Sequence, residues 1–185
     1  MPRPLAVAVT GGIGAGKSQA LRFFAQRGVP VLSADEVVHR LLQEDEEVRA
    51  ALQERFGDQV LDRREALAEI VFQNRDELAW LEGLMHPRVV AHYLAWRERQ
   101  TAQLAVTEVP LLYETGGDAR FDKVVVITAP KVLREARREP LPGDRETRLL
   151  DDKEKAKRAD YAYVNPGSLA DLDEFVGSVV EDLTS

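Results

Sequence analysis

The feature that most constrains this chain is a glycine-rich loop, Gly11 to Ser18, which reads Gly-Gly-Ile-Gly-Ala-Gly-Lys-Ser. An apolar run, Leu5 to Thr10, precedes the loop, and a segment with helical periodicity begins at Gln19. Glycines at both ends allow the backbone to turn tightly and to direct several N–H groups into one concavity, where a polyphosphate can replace water as their acceptor. The stretch therefore predicts a strand, a phosphate-binding loop and a helix, in that order.

Two side chains at the end of this loop add a cation and a metal ligand to the predicted site. Lys17 would reach the outer phosphates, and Ser18 would offer its hydroxyl oxygen to Mg²⁺, while the following helix would direct its positive end at the anion. A simple glycine turn is the alternative interpretation, but it would have to imitate both the motif and its strand–helix context. The residues predicted to bind the phosphates of ATP from this stretch are Gly11, Gly12, Ile13, Gly14, Ala15, Gly16, Lys17, Ser18 and Gln19.

Composition limits the partners of this chain. Its 185 residues carry a formal net charge of −7, which argues against a nucleic-acid partner and favours a small molecule. Because the sequence contains no cysteine, it has no disulfide framework or thiolate site, and we expect a cytoplasmic protein. The apolar run at the N-terminus is too short for a signal peptide, and no run approaches the roughly 20 residues that span a bilayer, so we expect no membrane partner. A monomer is favoured, although the sequence leaves the oligomeric state open.

A carboxylate and a long helical region follow the loop. Val29 to Ser33 predicts a second strand, so Asp35 falls just beyond its carboxyl end, where parallel sheets bind ligands. Asp35 could instead cap the helix that starts beside it. Residues 45–100 are almost entirely helical in pattern and too long for one crossover helix, which is typical of an inserted cap. Within them, Pro87 is predicted to break the helix after His86.

The second half of the chain supplies two more buried strands and two acidic residues. Leu104 to Val109 and Lys123 to Thr128 have the continuous apolar pattern of strands in a parallel sheet. Glu108 and Glu114 bracket the turn after the first of them. Each carboxylate could orient magnesium through water, or could pair with a nearby arginine.

A cluster of arginines follows these strands. Guanidinium groups match phosphate oxygens in a bidentate manner, so the cluster suits a lid that closes on a bound nucleotide. The alternative interpretation is a solvated helix face. The arginines in the cluster are Arg134, Arg137, Arg138, Arg145 and Arg148.

Taken together, these segments resemble the dephospho-CoA kinase family over nearly the whole chain. The glycine loop alone indicates only a nucleotide-binding protein, whereas the added His-Pro and Val-Pro-Leu-Leu-Tyr-Glu segments, in this order, are far more specific. The residues that carry the resemblance are Thr10 to Ser18, Ala34, Asp35, Arg63 to Phe72, Leu84 to Pro87, Val109 to Glu114, Lys155, Ala159, Asp160 and Asn165.

The resemblance implies an α/β fold, namely a three-layer parallel-sheet phosphate-loop kinase fold with an inserted helical substrate domain and a lid. The implied division is a core of about residues 1–44, 101–133 and 159–185, an insertion of about 45–100, and a lid of about 134–158. It also implies transfer of the terminal phosphoryl group of ATP to the ribose 3′-hydroxyl of dephospho-CoA, with Mg²⁺ as cofactor.

The resemblance further implies roles for individual residues. Asp35 stands where the family has a base toward the acceptor hydroxyl, and Lys17 and Arg145 complete the predicted catalytic set. Arg134 and Asn165 are predicted to bind ATP. At Ser33, the sequence departs from the family pattern, because many relatives carry Asp there. The residues predicted to bind the acceptor are Asp35, His86, Leu111, Tyr113 and Glu114.

Three other functions fit parts of this sequence. A different small phosphate-loop kinase, acting on a nucleoside or nucleotide, would differ in its acceptor. A GTP-dependent switch would need an Asn-Lys-x-Asp segment and an Asp-x-x-Gly segment, and the sequence contains neither. A noncatalytic nucleotide-binding module would bind ATP without consuming it.

Overall fold

The computed structural model describes residues 3–137 and 150–185, and these residues form a five-stranded parallel sheet with helices on both faces. Two single-turn 3₁₀ helices, Asp58–Val60 and Asp118–Arg120, complete the described secondary structure. The strands are β1 (Leu5–Thr10), β2 (Val31–Ser33), β3 (Leu104–Glu108), β4 (Lys123–Thr128) and β5 (Tyr161–Val164). The helices are α1 (Lys17–Gln26), α2 (Ala34–Glu44), α3 (Glu46–Phe56), α4 (Arg64–Gln73), α5 (Arg75–Glu98), α6 (Lys131–Ala136), α7 (Asp152–Arg158) and α8 (Leu169–Thr184).

The order of the strands is β2-β3-β1-β4-β5, and every neighbouring pair is parallel. Glu108 of β3 is in register with Val9 on one side and with Ser33 on the other. All carboxyl ends therefore lie at one edge of the sheet, and the residues that follow β2, β3 and β1 stand side by side there. Such an edge is where open parallel sheets bind ligands. The predicted α/β fold with a parallel sheet is confirmed.

Alternate side chains of the strands divide the interior into two layers, as the pleat of a strand requires. Val7 and Val9 face a cluster that includes Phe24 of α1 and Leu172 of α8. On the opposite face, Ala8 packs with other residues of the sheet and of the segments that cover it. The sheet is thus the middle of three layers.

The helices between β2 and β3 form a hydrophobic cluster of their own, which explains the long helical periodicity of this region. Leu41 of α2 packs against the cluster from outside residues 45–100. Whether this region acts as a substrate-binding insertion stays a prediction. The buried members of the cluster are Val48, Leu52, Val60, Leu67, Val71 and Met85.

Helix α5 runs without interruption through Pro87, so the predicted break after His86 is wrong. Met85 packs in the helical cluster and Tyr93 packs in a second cluster beside the sheet, so both halves of α5 are held by tertiary contacts. Arg88 also donates to the carbonyl oxygen of Leu84 at 3.0 Å. These contacts outweigh the cost of one missing helical hydrogen bond.

None of the helices in the described part of the chain combines the length and the apolar character needed to cross a bilayer.

Candidate active site

The phosphate loop follows β1, and its shape requires glycine at two positions. Gly11 has a φ of +138°, and a Cβ atom there would lie 1.8 Å from the carbonyl oxygen of Ile127 on β4. Gly16 has a φ of +107°, and a Cβ atom there would lie 2.5 Å from Nδ2 of Asn165. Side chains are therefore excluded at both positions by backbone conformation and by space. The loop is held between the ends of β4 and β5.

Asn165, which follows β5, fixes this loop from behind. It is buried, and its Nδ2 donates to the carbonyl oxygen of Ala15 at 2.8 Å. Its Oδ1 accepts from the backbone N–H of Gly167 at 2.9 Å, and its own N–H donates to the carbonyl oxygen of Thr128 at 2.7 Å. Asn165 thus supports the cradle, whereas its predicted contact with ATP stays a prediction.

Helix α1 begins at Lys17, directly at the end of the loop. Its N-cap, Gly16, has no side chain that could accept a hydrogen bond from the N–H groups of the first turn. Those N–H groups and the helix dipole can therefore serve a bound phosphate. Ser18 is exposed in the first turn, and Gln19 and Ile13 are half-buried beside it.

Lys17 is buried, and its ammonium donates to the carbonyl oxygen of Gly12 at 3.0 Å. Burial lowers the pKa of Lys17 from its usual value, and the carboxylates of Glu108 and Asp35 act in the opposite direction. Lys17 follows β1, Glu108 ends β3 and Asp35 follows β2, so three adjacent strands bring these charges together. The structure therefore joins the predicted cation and the predicted base in one cluster.

Glu108, for which the sequence left open a role toward magnesium or a pairing with arginine, is the third member of this cluster. Only 5% of it is exposed, and burial raises the pKa of its carboxyl group above the usual range. Lys17 and a hydrogen bond with Ser33 lower this pKa, and Asp35 raises it further. The sequence signal was an acid at the end of a buried strand, but only the sheet order shows that it lies between Lys17 and Asp35.

Asp35 lies in the first turn of α2, where its side chain is exposed. The N-cap of α2 is Ser33, whose Oγ accepts from the N–H of Glu36 at 3.4 Å. The alternative interpretation of Asp35 as the helix cap is therefore wrong. Its carboxylate faces solvent beside Lys17 and Glu108, which suits a group that must meet an incoming acceptor.

Two of the predicted arginines contact the phosphate loop. Arg134 Nη1 lies 2.9 Å from the position that a Cβ atom of Gly12 would occupy, and Arg137 donates to the carbonyl oxygen of Gly14 at 3.4 Å. The carboxylate of Asp152, at the start of α7, lies 3.8 Å from the guanidinium of Arg134. The guanidinium groups of Arg134 and Arg137 therefore lie beside the phosphate loop. The predicted arginines Arg138, Arg145 and Arg148 lie outside the described residues.

The segment after β3 holds three of the residues predicted to bind the acceptor, and the structure gives two of them other partners. Glu114 Oε1 lies 2.7 Å from Nζ of Lys155, so its partner is a lysine and not the arginine that the sequence offered as the alternative. Tyr113 is buried against the sheet, with the guanidinium of Arg158 5.7 Å from its ring centroid. Leu111 is half-buried in the same turn.

The remaining predicted acceptor residue, His86, is exposed on α5.

Burial raises the pKa of Tyr113, and Asp118 and Asp160 raise it further. Asp160 directly precedes β5, at the edge of the sheet opposite the phosphate loop. Direct contact of His86, Leu111, Tyr113 or Glu114 with an acceptor stays a prediction.

The burial of Glu108 predicts a pH-dependent stability difference. We expect Glu108→Gln to become progressively more stable relative to the parent chain as the pH rises from about 4 to about 8. The raised pKa means that, at pH values above the usual glutamate pKa, ionisation of Glu108 lowers the free energy of unfolding. At pH values below it, this cost is absent. Melting midpoints across this pH range measure the difference. The control variant is Glu98→Gln, which removes an exposed carboxylate. A difference that shrank toward high pH would contradict this assignment.

Comparisons with known proteins show the family to which this chain belongs. The family model described as dephospho-CoA kinase matches residues 5–171. The chain is 35% identical to the dephospho-CoA kinase of Helicobacter pylori, over 96% of this chain and 97% of that protein. It superposes on TT1252 from Thermus thermophilus with a TM-score of 0.80 and 33% identity over 100% of both chains, and on the dephospho-CoA kinase of Campylobacter jejuni with a TM-score of 0.72 and 28% identity over 96% of both. The chain therefore belongs to the dephospho-CoA kinase family.

Proposed function

We propose that this chain transfers the terminal phosphoryl group of ATP to the ribose 3′-hydroxyl of dephospho-CoA, giving coenzyme A and ADP. The observation that carries the proposal is the cluster of Lys17, Glu108 and Asp35 at the phosphate loop, in a member of this kinase family. Phosphoryl transfer needs a cradle for the donor and a group that receives the acceptor's proton, arranged around the transferred phosphorus. The loop and Asp35 supply these two parts.

The donor side is built from backbone amides and cations. The N–H groups of the loop and of the first turn of α1 would hold the phosphates of ATP, and Lys17 would exchange its bond to the Gly12 carbonyl for a phosphate oxygen. Arg134, which already stands at Gly12, would add a second cation. Arg145 is proposed as a further catalytic cation.

The residues around Lys17 fit a magnesium ion. Mg²⁺ prefers oxygen ligands, and it usually takes one or two from the protein while phosphates and waters supply the rest. The exposed hydroxyl of Ser18 would be a direct ligand, and the carboxylates of Glu108 and Asp35 would hold its waters. When bound, the ion would offset negative charge on the outer phosphates.

Asp35 would act as the base. As the acceptor oxygen forms its bond to the terminal phosphorus, the bond from that phosphorus to the bridging oxygen of ADP breaks, and the proton of the hydroxyl passes to Asp35. The carboxylates of Glu108 and Asp35 would favour the charged form of Lys17 against the effect of its burial, which lowers its pKa. Its positive charge would then stabilise the leaving phosphate oxygens.

The acceptor would be held mainly through parts that do not react. We propose that residues 45–100, including His86, bind the remainder of dephospho-CoA together with Leu111 and Tyr113 of the loop after β3. Residues 134–158 would act as a lid on the core of 1–44, 101–133 and 159–185. Binding energy from remote groups can orient the reacting hydroxyl. Truncated acceptors should therefore react poorly.

An acceptor comparison tests this proposal. With magnesium and ATP, we expect kcat/KM for dephospho-CoA to exceed that for AMP or adenosine by about tenfold or more, which requires only about 1.4 kcal/mol of differential transition-state binding. ADP release and product mass provide the readouts. If AMP or a nucleoside were the better acceptor, a general nucleotide kinase would replace the proposed function, and ATP binding without turnover would indicate a noncatalytic module.

The role of Asp35 predicts a selective loss of rate. We expect Asp35→Asn to reduce kcat by about 10²–10⁴ while retaining affinity for ATP, because an amide cannot receive the proton. Glu36→Gln removes the neighbouring exposed carboxylate of α2 and is the matched control. Steady-state kinetics and ATP titration measure the two effects. A collapse of ATP affinity together with the rate would indicate a structural or metal-shell role instead.

A further inference from the structure

Lys155 carries a buried charge that the proposed reaction does not use. Its side chain is fully buried in α7, and its Nζ lies 2.7 Å from Oε1 of Glu114, which is itself only 11% exposed. Nζ of Lys155 has no hydrogen-bond partner among residues 3–137 and 150–185, and its contact with Glu114 is an ion pair. Burial of both charges costs solvation that their attraction does not always repay. We therefore expect this pair to have a role other than stabilising the fold.

Glu114 connects two segments that are distant in the sequence. It belongs to the turn after β3, and its Oε1 also accepts from the backbone N–H of Leu150 at 3.0 Å. The chain continues from Leu150 directly into α7. Glu114 therefore fixes both the approach to α7 and, through Lys155, the helix itself. Residues on both sides of the pair share one hydrophobic cluster, which includes Leu112, Tyr113, Val124, Val126, Leu150, Ala156 and Ala159.

The other end of α7 reaches the phosphate loop. Asp152, its first residue, has carboxylate oxygens 3.2 and 3.3 Å from the position that a Cβ atom of Gly12 would occupy. The same carboxylate faces Arg134 at 3.8 Å. Asp152 lies less than one helical turn from Lys155, so a shift of α7 at the charge pair would move Asp152 by a similar amount.

Oε2 of Glu114 is buried and has no hydrogen-bond partner within residues 3–137 and 150–185, so loss of Lys155 would leave the carboxylate poorly compensated and would favour displacement.

We propose that Lys155 and Glu114 are positioning residues whose buried charge pair sets the place of α7, and thereby holds Asp152 and Arg134 at the phosphate loop. Neither side chain needs to touch ATP or the acceptor. Glu114 then acts through Lys155 rather than as a contact to dephospho-CoA. The turnover part of this inference rests on the proposed function, whereas its nucleotide-binding part does not.

The test compares two single variants with a control on the same helix. Lys155→Met and Glu114→Gln each remove one charge with little change in size, and Lys157→Met removes an exposed charge from α7. Affinity for a nonhydrolysable ATP analogue, kcat, KM for dephospho-CoA and the melting midpoint are measured for each. We expect both single variants to lose about tenfold in nucleotide affinity and in kcat, with an unchanged KM for dephospho-CoA, because they misplace the same groups. Lys157→Met should resemble the parent chain.

The double variant Lys155→Met/Glu114→Gln separates positioning from stability. Because it leaves no unpaired buried charge, we expect it to recover the melting midpoint that either single variant loses. Nucleotide affinity and kcat should stay low, since nothing then sets the place of α7. Recovery of affinity and rate together with stability would overturn the proposal, as would a Lys155→Met variant with parental affinity and rate.

The KM for dephospho-CoA distinguishes a positioning role of Glu114 from a direct contact with the acceptor. If Glu114→Gln raised KM for dephospho-CoA and Lys155→Met did not, Glu114 would be an acceptor contact and the positioning role would fail. Failure of the proposed function is visible separately, because the parent chain would then bind the analogue without phosphorylating dephospho-CoA. In that case, nucleotide affinity of the same four variants still tests the pair.

Discussion

The close packing of the phosphate loop against the ends of β4 and β5 is the constraint on which the site depends. Gly11 fits under the carbonyl of Ile127, and Gly16 fits against the amide of Asn165, at distances that leave no room for a side chain. This packing holds the backbone N–H groups of the loop in one arrangement before any phosphate binds. A preorganised cradle avoids the cost of ordering the loop during the reaction.

Sheet order then determines which charges meet at this cradle. Because β3 lies between β2 and β1, Glu108 stands between Asp35 and Lys17, although the three residues are far apart in the sequence. Glu108 raises the pKa of Lys17, and Lys17 lowers the pKa of Glu108. Both of these side chains are buried, while Asp35 stays exposed. One edge thus combines a lysine inside the protein with a carboxylate at its surface. This arrangement suits phosphoryl transfer, because the donor is held in a pocket and the acceptor arrives from solvent.

Local patterns were sufficient to predict much of this arrangement. The loop, the strand boundaries near Leu5 and Lys123 and the position of Asp35 all follow from glycine spacing and apolar periodicity. The continuous course of α5 through Pro87 could not be predicted, because it depends on tertiary contacts at Met85 and Tyr93. The burial of Lys155 with Glu114 likewise depends on two segments that meet only in the folded chain.

The central claim is that the cluster at the phosphate loop directs phosphate to one hydroxyl of the acceptor ribose. Paired analogues of dephospho-CoA test it most directly, one lacking the 2′-hydroxyl and the other lacking the 3′-hydroxyl. With magnesium and ATP, the account predicts phosphorylated product, identified by mass, from the 2′-deoxy analogue and none from the 3′-deoxy analogue. Phosphorylation of the 3′-deoxy analogue, or equal ADP release with both, would contradict the account.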